Sequence, residues 1–392
     1  MIRIRQLFEI PNAPSNWFWK SVLFPFLVTR SVWVFVAYFV TGNYSPNPSY
    51  EIYARRGYFL TRIFPLDIFA RWDSRWYFSI IKDGYQASAD LKTAYSNMAF
   101  FPLYPDLVKS LGWFGIDMPD GYYILAGLIL SNLFFLASAL LLYRLITGPL
   151  EFRHATAQRA LGLLFVFPAS FFFSSFYPES LFLFLALAGF TFALQEKWFL
   201  AGICMALAVL TKSQGVVLVF ALGWLYMEKR NWNPRNIRPS LAWFALAPLA
   251  LSLHFYFLYL RSGHVLAVFD AMSAWGRGQN ILNNPFQNLM RPSLDVFKID
   301  LVLSILFLAG SLYLLWKWPI KAYGVFALLM NLMPISTGLL VSVSRYLVII
   351  FPVFILLGEK IRNRNWYDFA RAGLFAIQII YFAGWVNYYW IA

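Results

Sequence analysis

From Leu181 to Ala193 the chain runs without a charged residue through almost unbroken apolar side chains, and comparable runs recur along its length. This continuity restricts the fold more than any other feature. Strands of a membrane barrel alternate apolar and polar residues with a period of two, whereas a helix crossing lipid is apolar throughout. Composition closes the soluble alternative: 60% of the 392 residues are hydrophobic and 13% are charged, where soluble domains hold roughly 45–50% and about 25%. The sequence therefore predicts one all-α integral membrane domain over residues 1–392, a polytopic bundle of about eleven spans. Their approximate limits are 21–42, 121–146, 159–177, 180–195, 198–212, 214–227, 241–260, 301–316, 321–340, 345–358 and 366–390.

The formal charge of +14 would suggest nucleic acid in a soluble protein, but here it reports topology. With a cytoplasmic N-terminus, most of the excess Lys and Arg falls in short inner connections, and no nucleic-acid partner is expected. The first apolar run lacks a signal-peptide cleavage pattern and reads as a retained span. Cys204 has no partner for an internal disulfide. Two long connections, 43–120 and 261–300, then lie together on the outer side, where long structured loops tend to carry function. Pro65-Leu66-Asp67 starts a helix expected to run to Asp83-Gly84, with Phe69, Trp72, Trp76 and Tyr77 on an amphipathic face at the bilayer surface. The spans flanking Lys212 are short, so Thr211-Lys212-Ser213-Gln214-Gly215 either reaches the outer surface or turns inside a protein-lined cavity.

The most informative segment is Arg71-Trp72-Asp73-Ser74-Arg75-Trp76-Tyr77, followed by Asp83-Gly84-Tyr85 and Ala99-Phe100-Phe101-Pro102-Leu103-Tyr104-Pro105. This ordered set resembles the PIG-V-like family, named for the second mannosyltransferase of GPI-anchor assembly and including prokaryotic members. The resemblance extends to Tyr177-Pro178-Glu179-Ser180-Leu181-Phe182, to Lys212-Ser213-Gln214-Gly215, where the family usually has Arg-Ser-Asn-Gly, and to Ser344-Arg345-Tyr346 with Phe351-Pro352. It implies a GT-C-type bundle with an extracytoplasmic active site. It also implies an inverting glycosyltransferase that moves a sugar, usually mannose, from a polyprenyl-phosphate carrier to a hydroxyl of a lipid-linked or glycan acceptor.

Asp73 is the candidate general base, because attack on an anomeric carbon requires the acceptor hydroxyl to lose its proton. Glycosidases add a second carboxyl to protonate a poor leaving group, which a phosphate does not need. A salt bridge to Arg71 or Arg75 on a solvated helix is the other reading of Asp73. Arg345 and Lys212, beside long apolar runs where charge is costly, are candidates for the donor phosphate; snorkelling to lipid headgroups would also place them there. Lys in place of the family's Arg at 212 puts bidentate binding there in doubt. Arg75, Gln214 and Tyr346 join the donor-side set. Glu179 either orients Lys212, binds a sugar hydroxyl or sits as a carboxylate at a helix N-terminus. Trp72, Trp76, Tyr77 and His264 are candidate acceptor or sugar contacts; interfacial belts and a surface histidine are their bland readings. Arg30 and His254 lie within spans and are expected to be satisfied by neighbouring helices.

No Asp-x-Asp, His-x-x-x-His or Cys pair supplies a metal site, and no Gly-rich loop supplies a nucleotide site, so no metal or cofactor is expected beyond the lipid-phosphate sugar as co-substrate. The competing class is a transporter or flippase of lipid-linked glycans, which would show discontinuous helices and paired ionisable residues near the midplane. No retrieval signal ends the sequence, which suits a prokaryotic plasma membrane better than the endoplasmic reticulum.

Overall fold

A computed structural model describes residues 14–50, 58–86, 90–111, 119–274, 296–336 and 342–391. In chain order its helices are α1 (Trp19–Asn43), α2 (Phe64–Asp67), α3 (Ser74–Asp83), α4 (Leu103–Leu111), α5 (Asp120–Thr147), α6 (His154–Val166), α7 (Glu179–Leu194) and α8 (Trp198–Thr211). There follow α9 (Gly215–Glu228), α10 (Leu246–Ser262), α11 (Ala267–Ser273), α12 (Val296–Lys317), α13 (Lys321–Ile335), α14 (Val343–Leu347), α15 (Phe351–Lys360) and α16 (Arg364–Val386). Among the described residues there is no strand. Among the described residues five helices are long and apolar enough to cross a membrane: α1, α5, α10 with the turn that begins at Pro239, α12 and α16. The apolar helices α7, α8, α9 and α13 are shorter. At a rise of about 1.5 Å per residue, α8 and α9 each reach roughly 21 Å, less than a hydrocarbon core of about 30 Å.

Burial separates core helices from peripheral ones. α7 is buried on nearly every side and packs against α5, α8 and α9. On α10, Leu249, Leu253, Tyr256 and Leu260 form an exposed apolar stripe, while Ala247, His254 and Leu258 face the protein. That inversion is what a lipid-facing helix requires. α16 acts as a spine, since Gln378 donates to the carbonyls of Phe165 (3.1 Å) and Phe167 (2.7 Å) and accepts from Trp33 Nε1 (3.2 Å). In this way one polar side chain joins α1, the end of α6 and α16, and every buried partner is satisfied.

Three expected elements are interrupted. The span drawn at 159–177 ends as a helix at Val166, because Pro168 forces Phe167 into extended backbone with ψ 141°. The following residues make a buried 3-10 turn over Ser170–Ser174 that delivers Tyr177 and Glu179 to the end of α7. The span drawn at 345–358 divides into α14 and α15. The helix expected from Pro65 to Asp83 also divides, into α2 and α3, with Trp72 between them at φ 57°.

Tertiary ties impose that last break. The Asp67 carboxylate accepts backbone N–H groups of Phe59, Leu60 and Thr61 at 2.8–3.1 Å. Arg71 pairs with Asp67 at 3.5 Å and donates to the carbonyl of Val386, while Trp385 Nε1 donates to the carbonyl of Ile68 at 2.7 Å. Each such bond contributes about 1 kcal/mol, enough together to override a local helical preference. Phe69, Trp72 and Tyr77 are consequently buried in protein and do not lie on a bilayer surface. Of the second long outer segment, 261–300, residues 275–295 lie outside the described residues, as do 1–13 of the N-terminal segment and parts of 43–120.

Candidate active site

Four charged side chains from four separate stretches meet beside the first turn of α7. Glu179 opens that helix with its side chain 1% exposed, and its Oε1 accepts a hydrogen bond from Lys212 Nζ at 2.7 Å. The same oxygen lies 3.4 Å from Arg345 Nε. Arg345 Nη1 donates to Asp73 Oδ2 at 2.9 Å, giving a continuous chain Asp73, Arg345, Glu179, Lys212 with no net formal charge. Pairing of this kind is what makes burial of four charges tolerable.

Local structure explains each position. Asp73 is the residue before α3, yet its carboxylate makes no capping bond, so both oxygens are directed elsewhere. Its backbone is held by Tyr177, whose hydroxyl accepts the Asp73 N–H at 2.9 Å and donates to the Arg71 carbonyl at 3.0 Å. Lys212 ends α8 in extended conformation, and the chain reverses immediately into α9. Gly215 permits that turn, because a Cβ there would stand 2.3 Å from the Ala208 carbonyl group. The Lys212 turn is packed within protein, with Thr211, Lys212 and Gln214 all buried. Arg345 lies on the short helix α14.

A cavity of about 100 Å³ opens over this chain of charges, lined among others by Asp73, Lys212, Gln214, Arg345, Tyr77 and Trp390. Two acceptors, Gln214 Oε1 and Glu179 Oε2, are buried without a hydrogen-bond partner among the described residues. Tyr346 also lines the cavity, its ring centre 5.2 Å from Lys212 Nζ and 5.6 Å from Arg345 Cζ. Burial, reinforced by the charge of Glu179, raises the Tyr77 phenol well above its ordinary value, which leaves it a neutral hydroxyl. Among the described residues no three His, Cys, Asp or Glu side chains gather as a metal site would require.

The structure brings together Asp73, Lys212, Arg345, Glu179, Gln214, Tyr77 and Tyr346 from the residues singled out in the sequence. The others lie apart. Arg75 is exposed and rests over the Trp76 ring at 4.4 Å. Trp72 is turned into a cluster with Tyr50 and Trp390, ring centres 4.8 and 4.9 Å away. Trp76 stacks on Phe100, which lines the cavity in its place. His264 is exposed, 3.7 Å from Asp270. Arg30 is enclosed by the rings of Phe26, Trp33 and Phe135 at 4.0–4.9 Å, and His254 rests against Tyr85 and Phe101. Sequence reasoning passed over Tyr177 as a clamp, although its motif was visible, and gave no signal for Met272 or Trp390.

The family model for mannosyltransferase (PIG-V) matches residues 64–230, which hold Asp73, Glu179, Lys212 and Gln214. Over that stretch, less than half of the chain, the sequence is similar to that family. The match ends before Arg345, which completes the charge chain from a distant part of the sequence. No curated protein matches the chain. Among solved structures, the Archaeoglobus fulgidus oligosaccharyltransferase with Zn and sulfate is similar at 15% identity and TM-score 0.45, over 80% of this chain and 47% of that one. Its apo form gives 15% and 0.45 over 92% and 55%. Its complex with an inhibitory peptide and a dolichol-phosphate gives 14% and 0.40 over 80% and 51%. The chain spans about half the length of these distant likenesses.

Proposed function

We propose that this PIG-V-like chain is a glycosyltransferase of GT-C type, a mannosyltransferase that takes its sugar from a polyprenyl-phosphate donor at the extracytoplasmic face of a membrane. The observation that carries the reading is the Asp73–Arg345 contact at 2.9 Å on the wall of an open cavity, with Lys212 on the same wall. Asp73 accepts the proton of the acceptor hydroxyl as its oxygen attacks the anomeric carbon. The bond from that carbon to the phosphate oxygen breaks, and the electron pair leaves with the phosphate. Arg345 and Lys212 neutralise the departing charge, Arg345 by forked donation and Lys212 as a point charge. One displacement inverts the anomeric centre and needs no covalent enzyme intermediate.

The resting ion pairs fit this sequence of events. Arg345 occupies Asp73 Oδ2 at rest, and a donor phosphate that draws the guanidinium away frees that oxygen for the acceptor proton. Gln214 Oε1, an orphaned acceptor on a residue that lines the cavity, suits a sugar hydroxyl, which donates. Trp390, Tyr77 and Phe100 supply the apolar and aromatic faces that sugar rings pack against.

The interruptions at Lys212–Gln214 and between α14 and α15 are the observations that favour the competing class, a transporter of lipid-linked glycans. Purified protein incubated with labelled polyprenyl-phosphate-mannose and a membrane lipid extract separates the two. A new labelled glycosylated product supports the transferase; redistribution of intact donor across vesicles without product overturns it.

A further inference from the structure

Asp300 is a carboxylate without a role in the chemistry above, yet it lies in the wall behind it. It sits near the start of α12 and is 1% exposed. Three donors converge on it. Ser344 gives its backbone N–H to Oδ2 at 3.3 Å and its hydroxyl to Oδ1, and Tyr381 on α16 gives its hydroxyl to Oδ1 at 2.8 Å. Ser344 and Tyr381 are themselves fully buried. Ser344 is the residue immediately before Arg345, so whatever fixes Ser344 fixes the root of the guanidinium.

α14 cannot hold that position by itself. A helix of five residues gains too few hydrogen bonds to offset its nucleation cost. It is entered through Ser342 at φ 66°, without a side-chain cap. An external acceptor on its second residue is the device that remains, and α12 delivers one. The same spine helix governs the other half of the ion pair. Tyr381 reaches Asp300 from α16, and one to two turns further on Trp385 and Val386 bind the Ile68 carbonyl and Arg71, which lead into Asp73.

We infer that Asp300, bracketed by Ser344 and Tyr381, is the positioning residue that sets Arg345 against Asp73 and the donor phosphate. The inference rests on the reading of Arg345 as a phosphate-holding group. Asp300 touches no reacting atom; it acts through the backbone of α14. It requires acceptor oxygens rather than a charge, since Ser344 and Tyr381 hold it through hydrogen bonds that its oxygens accept.

The test is a double-mutant cycle on the full-length protein in detergent or vesicles, with polyprenyl-phosphate-mannose of one chain length varied at fixed acceptor. Asp300→Ala is expected to lower kcat/KM for the donor roughly 10–100-fold, the consequence of leaving buried donors unpaired and α14 displaced. KM for the acceptor should be unchanged. Asp300→Asn, which keeps one carbonyl oxygen for Ser344 and Tyr381, should recover most of the loss. Tyr381→Phe should lower donor kcat/KM by a smaller factor and serves if Asp300→Ala does not fold. In an Arg345→Ala background, Asp300→Ala and Tyr381→Phe should cost nothing further, because the group they position is gone. Losses that multiply in that background, or an equal rise in both Michaelis constants, would overturn the inference in favour of a merely structural acid. If Arg345→Ala itself leaves donor kinetics unchanged, the phosphate reading falls first and this inference with it.

Discussion

Asp67 and Asp73 stand six residues apart, both buried and both paired with an arginine, yet their oxygens are used differently. Asp67 is saturated: three backbone N–H groups and Arg71 take up its carboxylate, and none of these partners lines the cavity. Asp73 has one strong contact, Arg345, and otherwise faces open space. A buried acid whose lone pairs are all occupied by backbone holds a loop together. One left with spare acceptor capacity beside a cavity can exchange its partner for substrate. The two regions are joined by Tyr177, which binds the backbone on both sides of Trp72.

Several substitutions would break or sharpen this contrast. Second only to loss of Asp73, Arg345→Ala is expected to lower kcat/KM for the donor about 10²–10³-fold, as for loss of a preorganised group that stabilises leaving charge; donor titration at saturating acceptor reads it. Asp67→Asn should act on folding instead. Its amide would set new donors against three backbone N–H groups and cost about 1–3 kcal/mol in a denaturant series, with the rate per folded molecule nearly retained. Tyr177→Phe, at the join, should cost about 1 kcal/mol and lower transfer modestly, since Asp73 loses the tie that fixes its backbone. Arg75→Ala and His264→Ala, both exposed and away from the cavity, should leave transfer within about twofold and stability within roughly 0.5 kcal/mol. A large loss at either would return Arg75 or His264 to the site.

Much of this arrangement was legible in sequence, for definite physical reasons. Apolar runs announce helices in lipid, and an ionisable residue beside such a run is costly, which is why Lys212 and Arg345 stood out. The acid at 73 was marked by its motif. What could not be read was the path of the chain around it. The break before α3 comes from the Trp385 indole and the Val386 carbonyl, more than 300 residues away in α16, and from Tyr177, so local periodicity favoured one continuous helix. That break rotates Trp72 into Tyr50 and Trp390, and the aromatic rings on the cavity wall are those of Phe100 and Trp390 instead. Asp300 was invisible for a related reason: one acid at the edge of an apolar run reads as a loop boundary until its three donors are seen.

The most direct measurement compares Asp73→Asn with Asp67→Asn in the same transfer assay, each rate divided by the amount of folded, membrane-inserted protein. The account predicts that Asp73→Asn keeps wild-type stability and loses transfer by about 10²–10⁴-fold, the range for removal of a general base, while Asp67→Asn loses stability and keeps most of its rate. Near-normal turnover by a folded Asp73→Asn protein would contradict it.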